Sequence, residues 1–160
     1  MNYVVLSVIG AQVLMSGASA LAEEVAAETC RNVSGKMLSV RPAKCAALTG
    51  VCTIGLLDGD FHAFYDFSSV TMNQVSPQRA QYTGVSTITV LGHERRVFSS
   101  VDEGEMTILD DGTAQFTTYI AIPSGVASQE GISGKMVATG RMNLQTGVAE
   151  GVYSGAICGI

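Results

Sequence analysis

Residues 135–158 read KMVATGRMNLQTGVAEGVYSGAIC, and their alternation decides the fold. From Lys135 to Leu144, a mostly polar set of side chains alternates with Met, Ala, Gly, Met and Leu. This period of two is that of a β-strand with one wet face and one buried face. Gln145-Thr146-Gly147 is a turn in which Gly can take a positive φ, and Val148 to Cys158 continues with a second alternating run. The stretch therefore predicts a β-hairpin.

The same alternation recurs along the chain before this hairpin. It predicts six further strands, at Asn32–Val40, Cys52–Leu57, Asp60–Met72, Gln81–Leu91, Arg95–Leu109 and Thr113–Ile122. Turn residues separate most of them, at Asp58-Gly59, Ser76-Pro77-Gln78, Gly92-His93 and Asp110-Asp111-Gly112. An even set of long strands with many internal glycines favours an all-β, eight-stranded antiparallel barrel, because closure removes exposed edges and Gly relieves crowding where strands bend. A β-sandwich is the alternative.

The N-terminal segment Met1–Ala22 has the layout of a secretory signal peptide. It contains no charged residue, and its apolar stretch Tyr3–Met15 is followed by the small residues that a signal peptidase reads. This stretch is shorter than the roughly 20 residues that span a bilayer. We therefore expect cleavage after Ala22, or else after Ala20. The product would be a single barrel domain over residues 23–160, secreted or periplasmic and without stable membrane insertion.

The charge balance excludes one class of partner. The chain carries 9 basic and 14 acidic residues, which gives a net charge of −5. Arg95-Arg96 is its only adjacent basic pair. Affinity for phosphates rests on clustered Lys and Arg. We therefore expect no nucleic-acid partner.

The four cysteines all follow the signal peptide, and an even number in an exported chain predicts two disulfides. We favour Cys45 with Cys52, which flank a short loop. We also favour Cys30 with Cys158, which lie side by side if the first and last strands close a barrel. A zinc site is the alternative, but it needs spacings such as C-x-x-C, which are absent here. We expect neither a metal nor a cofactor.

Glycine spacing in the C-terminal half carries a resemblance to a known family. Its pieces are Asp102-Glu103-Gly104, Phe116–Ile122, Gly125, Gly131, Gly134, Gly140, Thr146-Gly147 and Gly151–Cys158, with weaker similarity over Val51–Phe67 and Tyr82-Thr83-Gly84. In these pieces the chain resembles secreted bacterial proteins with an allene-oxide-cyclase-like, calycin-type barrel, related in architecture to plant dirigent proteins. The family's G-G-T-G-x-F turn is replaced here by Ser124–Gln129. The cyclase's own catalytic residues match no motif in this chain.

The resemblance implies a barrel that binds a small, largely apolar molecule. If it is an enzyme, it would be a cofactor-independent isomerase or cyclase that folds its substrate and excludes water. The lumen of an eight-stranded barrel is either filled by side chains or holds one small ligand. The alternative is a non-catalytic extracellular module that acts through its outer surface. Self-association into a homo-oligomer is compatible with both, and no Gly-x-Ser-x-Gly nucleophile motif occurs.

Five polar side chains in the alternating strands are candidates for the lumen: His62, Asp66, Tyr82, Glu103 and Tyr119. In the predicted strand Asp60–Met72 one face is apolar, and the mixed face includes His62 and Asp66. If the mixed face points inward, these two residues line one cavity about 13 Å apart along the strand. Glu103 would then be placed to act as an acid or base. The opposing interpretation is that the charged residues face solvent and that the tyrosines pack in the core or at the rim.

Overall fold

The computed structural model describes residues 29–92, 96–124 and 131–160. The predicted signal peptide and most of the loop at residues 124–129 therefore lie outside the described residues. The strands are β1 Cys30–Val40, β2 Cys52–Gly59, β3 Ala63–Ser76, β4 Arg79–Val90, β5 Arg96–Ile108, β6 Thr113–Ile122, β7 Ser133–Asn143 and β8 Ala149–Cys158. Every predicted strand is present. The largest difference between predicted and observed bounds is in β3, which begins after a bend at residues 60–61.

Hydrogen bonds join the strands in chain order into one closed barrel. All neighbouring pairs are antiparallel. The closing pair, β1 with β8, runs from Cys30 opposite Cys158 to Ser39 opposite Ala149. The predicted eight-stranded antiparallel barrel is therefore confirmed, and the sandwich alternative is wrong. Within the described ranges, no helix is long and apolar enough to cross a membrane.

Both predicted disulfides are present. Cys30–Cys158 joins two register partners at the seam between β1 and β8, so it fastens the closure of the barrel covalently. Cys45–Cys52 ties the loop between β1 and β2 to the first residue of β2. Such bonds form and persist in oxidising compartments. The disulfides therefore indicate an oxidising, extracellular-type environment.

Aromatic rings inside the barrel lie over glycines of neighbouring strands. Five such pairs are Gly35 with Tyr153, Gly55 with Tyr65, Gly84 with Phe67, Gly104 with Tyr82 and Gly140 with Phe116. All but the Gly84 pair are direct register partners. A Cβ atom on any of these glycines would lie 2.3–2.7 Å from a ring atom, which is closer than real Cβ atoms come. The glycines therefore make room for large rings in a narrow lumen.

One end of the barrel is packed with apolar side chains, and we call it the packed end. It is the end at which β1, β3, β5 and β7 begin, and its core includes Val33, Phe61, Phe98, Ile122, Ile132 and Ile157. The Tyr153 hydroxyl donates to the Phe61 carbonyl at 3.3 Å. Asp60 accepts hydrogen bonds from the Ser34 amide at 2.6 Å and the Ser34 hydroxyl at 2.9 Å. These bonds hold the β2–β3 connection against β1 and β8.

Candidate functional site

A partly open cavity of about 80 Å³ lies in the other half of the lumen. Its walls reach from mid-barrel to the end at which β1, β3, β5 and β7 finish, which we call the open end. Twelve lining residues are apolar, and seven carry a polar side-chain atom: Ser39, Thr53, Tyr65, Tyr82, Ser86, Asp102 and Thr118. A concave, mostly apolar wall with a few convergent polar groups is typical of a small-molecule site.

Asp102 is the only carboxyl among the lining residues, and it is 1% exposed. It lies on β5, directly opposite Gly84 of β4 and Ile120 of β6. Its carboxyl accepts a hydrogen bond from the Ser100 hydroxyl at 2.7 Å and another from the Ser86 hydroxyl. Burial raises the pKa of Asp102, and the two serine hydroxyls offset only part of the rise. Asp102 therefore retains its proton to a higher pH than an exposed aspartic acid does.

Tyr65 lines the same cavity, and its buried hydroxyl has no hydrogen-bond partner in the described ranges. Tyr65 is 8% exposed, and its oxygen is the only buried side-chain N or O atom in the described ranges that lacks a partner. Burial raises the pKa of Tyr65, the nearby Ser39 and Thr53 hydroxyls lower it in part, and Asp102 adds to the rise. An unpaired buried hydroxyl costs about 1–3 kcal/mol. Tyr65 is therefore a donor that the surrounding side chains leave unsatisfied.

Tyr82 differs from Tyr65 because the wall satisfies its hydroxyl. The Tyr82 and Thr118 hydroxyls lie 2.6 Å apart across Gly104, and the Tyr82 ring contacts the Phe67 ring edge to face, with the ring centroids 5.9 Å apart. Burial raises the pKa of Tyr82, and Thr118 lowers it in part. Tyr82 therefore forms part of the rigid wall of the cavity.

Among the five candidate lumen residues, only Tyr82 lies in the lumen. The side chains of His62, Asp66, Glu103 and Tyr119 are exposed on the outer face, and His62 Nδ1 lies 2.7 Å from the Asp58 carboxylate. The mixed face of β3 therefore points outward, which corrects the expectation that it lines a cavity. The physical reason is that the alternate face of β3 is more apolar and is the face buried in the core.

Asp102 and Tyr65 were not among the predicted residues. Asp102 and Glu103 are adjacent carboxyls, so strand alternation sends them to opposite faces. Asp102 shares its face with Phe98 and Met106, whereas Glu103 shares its face with Glu105. This grouping is a signal in the sequence that would have selected Asp102 over its neighbour. Tyr65 carries no such signal, because an unpaired hydroxyl becomes visible only in the packed structure.

The electrostatics of the cavity limit what it can hold. None of the lining residues is Lys, Arg or His, so the wall supplies no positive charge to balance an anion. Its polar groups are hydroxyls and one carboxyl, which can hydrogen-bond a neutral oxygen and exchange a proton with it. The geometry therefore suits a neutral molecule of low polarity.

Comparisons of the chain with family models, with curated proteins and with solved structures found no match. The geometry of the cavity is therefore the basis for assigning a function.

Proposed function

We propose that the barrel binds a small, largely apolar molecule in the cavity at its open end. The observation that carries this proposal is the wall itself, which is mostly apolar and has a few buried polar groups directed at one space. The resemblance to allene-oxide-cyclase-like barrels favours the same function. Carriers and enzymes of small apolar molecules both need such a wall.

The size of the cavity limits its occupant. At about 80 Å³ it is smaller than the roughly 300–1,000 Å³ of pockets for drug-sized ligands. Four methionines, Met37, Met72, Met106 and Met142, line it. Met side chains are unbranched and adapt to irregular contacts. A short or slender molecule therefore fits directly, and a larger one requires these methionines to move.

The same cavity suits a cofactor-independent isomerisation or intramolecular cyclisation. The wall would hold a flexible substrate in one conformation and exclude water. Asp102 would give or take a proton, since burial raises its pKa above that of an exposed aspartic acid. Reaction in the cavity would need no group beyond those the chain supplies.

The proposed compartment is the exterior of the cell or the periplasm. Two disulfides favour an oxidising environment, and the layout of Met1–Ala22 is that of an export signal. An apolar ligand would then be met outside the cytoplasm.

Native mass spectrometry of the protein purified from its secreting host tests the proposal, alongside a variant that fills the cavity. Ala138 lines the cavity and is 3% exposed, so Ala138→Leu places a larger side chain in the space that the ligand would occupy. We expect a bound mass that is lost on denaturation in the wild-type protein and reduced at least about tenfold in Ala138→Leu.

Ala121→Leu is the matched control, because Ala121 is exposed on β6 and its side chain lies outside the barrel. It should retain the bound mass. Thermal unfolding checks that each variant folds, and Ala138→Val replaces the leucine variant if that one does not. A bare wild-type protein that also binds no short apolar probe would contradict the proposal.

An exposed apolar row favours a second candidate, an extracellular module that acts through its outer surface. Leu38, Leu56 and Phe64 are successive register partners on β1, β2 and β3, and they are 48%, 43% and 48% exposed. Apolar surface of this kind is typical of contacts with another protein or with a second copy. A wild-type barrel with no bound molecule would favour this candidate.

A further inference from the structure

The unpaired Tyr65 hydroxyl restricts the chemistry of the ligand. Tyr65 lines the cavity, and its hydroxyl oxygen is buried and has no partner within the described part of the chain. Tyr82 pairs with Thr118, the hydroxyls of Ser86 and Ser100 donate to Asp102, and the Ser39 and Thr53 hydroxyls lie close enough to Tyr65 to lower its pKa. A ligand that offers an acceptor would satisfy the hydroxyl, and a pure hydrocarbon would leave it unsatisfied.

A carbonyl oxygen fits this requirement better than an amide or an alcohol. It supplies acceptor lone pairs and brings no N–H or O–H donor of its own. An extra donor would need an acceptor of its own, and the Tyr82–Thr118 and Ser86–Asp102 groups of the wall are already paired with each other. Burying such a donor unpaired would reduce the affinity.

The charges around the cavity favour a neutral ligand. The titratable groups that face it are Tyr65 from β3, Tyr82 from β4 and Asp102 from β5, and the lining residues of the other strands are not titratable. A carboxylate ligand would therefore lie near the Asp102 carboxyl without a cation to balance it. Burying an unpaired charge is costly, and a second negative group nearby adds repulsion.

We propose that the ligand is a neutral aliphatic ketone or aldehyde whose carbonyl oxygen accepts a hydrogen bond from the Tyr65 hydroxyl. This inference rests on the proposed function and narrows the class of molecule that the cavity binds. The alkyl part lies against the apolar and methionine wall, and the carbonyl lies toward Tyr65.

Three probes of matched chain length test the inference: 2-pentanone, pentane and pentanoate. Their binding to the wild-type protein, to Tyr65→Phe and to Tyr119→Phe is measured by NMR titration at neutral pH. We expect 2-pentanone to bind the wild-type protein more tightly than pentane does and pentanoate to bind weakest. Tyr65→Phe should weaken the binding of 2-pentanone about fivefold, which is the effect of losing one hydrogen bond, and should leave the affinity for pentane unchanged.

Tyr119→Phe is the matched control, because Tyr119 is 58% exposed on the outer face. It should leave all three affinities unchanged. Equal binding of 2-pentanone and pentane, with no effect of Tyr65→Phe, would overturn the inference and leave the proposed function standing. Tightest binding by pentanoate would overturn the requirement for a neutral ligand. Failure of all three probes to bind would count against the proposed function itself.

A second readout does not depend on how the variant folds. The infrared carbonyl stretch of 2-pentanone bound to the wild-type protein should lie at a lower frequency than that of 2-pentanone in a hydrocarbon solvent. The reason is that a hydrogen bond from a phenol weakens the C=O bond. An unshifted, hydrocarbon-like frequency would overturn the inference.

Discussion

Asp102 is the residue at which burial most changes the chemistry of the lumen. Two serine hydroxyls hydrogen-bond its carboxyl, yet burial still raises its pKa. The folded protein therefore holds this proton to a higher pH than the unfolded chain does. Between the unfolded and folded pKa values the native state binds more protons, so a rise in pH through this range lowers stability. The loss begins near the ordinary pKa of Asp, about 4, and is complete above the raised value.

Asp102→Asn should remove this dependence, because the amide is neutral at every pH and can still pair with Ser86 and Ser100. We expect the stability of Asp102→Asn, relative to the wild-type protein, to increase as the pH rises above about 4, until the pH exceeds the raised pKa of Asp102. The measurement is the midpoint of urea unfolding for both proteins at each pH. Asp66→Asn makes the same change on the exposed outer face and controls for the loss of one negative charge. A constant difference between Asp102→Asn and wild type would contradict this account.

The sequence predicts the candidate residues less well than the strands, and Asp102 shows why. Adjacent carboxyls at Asp102 and Glu103 lie on opposite faces, and only the neighbouring residues distinguish the inner face from the outer one. For a similar reason the sequence does not decide which way His62 and Asp66 point, because β3 carries large apolar residues on both faces. Phe64 is 48% exposed, whereas Tyr65 is 8% exposed. Which face of β3 points into the barrel depends on how all eight strands close.

At the scale of the elements, strand alternation and turn residues were sufficient to predict all eight strands. Alternation with a period of two is visible in the local sequence, so a strand can be recognised without knowledge of its neighbouring strands. The pairing of a ring with a glycine is not local, because it joins two strands through their register. Tyr82 and Gly104 illustrate this, since they lie on different strands and meet only as register partners.

Gly104→Ala tests whether these ring–glycine pairs set the packing of the wall. An added Cβ would lie 2.3 Å from the Tyr82 ring and 2.7 Å from the Thr117 carbonyl oxygen. The ring must then move away from Thr118, and we expect a loss of about 2–3 kcal/mol in the free energy of unfolding. Urea unfolding measures this loss. Gly92→Ala is the control, because nothing lies within 4 Å of a Cβ at that position, and it should change stability by less than about 0.5 kcal/mol. Similar losses for the two variants would contradict the packing role.

At the scale of the whole molecule, the two ends of the barrel differ in what they contribute. The packed end holds the apolar core and the Cys30–Cys158 seam, whereas the open end holds the cavity and the loop fixed by Cys45–Cys52. Val51, next to Cys52, lines the cavity. The seam disulfide should therefore govern stability, and the loop disulfide should govern the shape of the cavity.

Removing each disulfide in turn separates these two roles. The residues of Cys30–Cys158 are 128 positions apart and those of Cys45–Cys52 are 7 apart, so the first closes a much longer loop in the unfolded chain. Loop-closure entropy predicts losses of about 5 kcal/mol for Cys30→Ala with Cys158→Ala and about 2 kcal/mol for Cys45→Ala with Cys52→Ala. Urea unfolding measures both losses, and replacing both partners together leaves no unpaired thiol.

The binding of 2-pentanone should rank the two disulfide variants in the opposite order. The Cys45–Cys52 variant, which loses less stability, should lose more affinity. Loss of Cys45–Cys52 frees the loop that carries Val51 against the cavity, so it should weaken binding under conditions in which both variants are folded. Loss of Cys30–Cys158 leaves the cavity wall in place, because β1 and β8 remain paired along their length at the seam. If the seam variant binds the probe as weakly as the loop variant does, the closure of the barrel and the shape of the cavity are one cooperative property, and the division between the two ends does not hold.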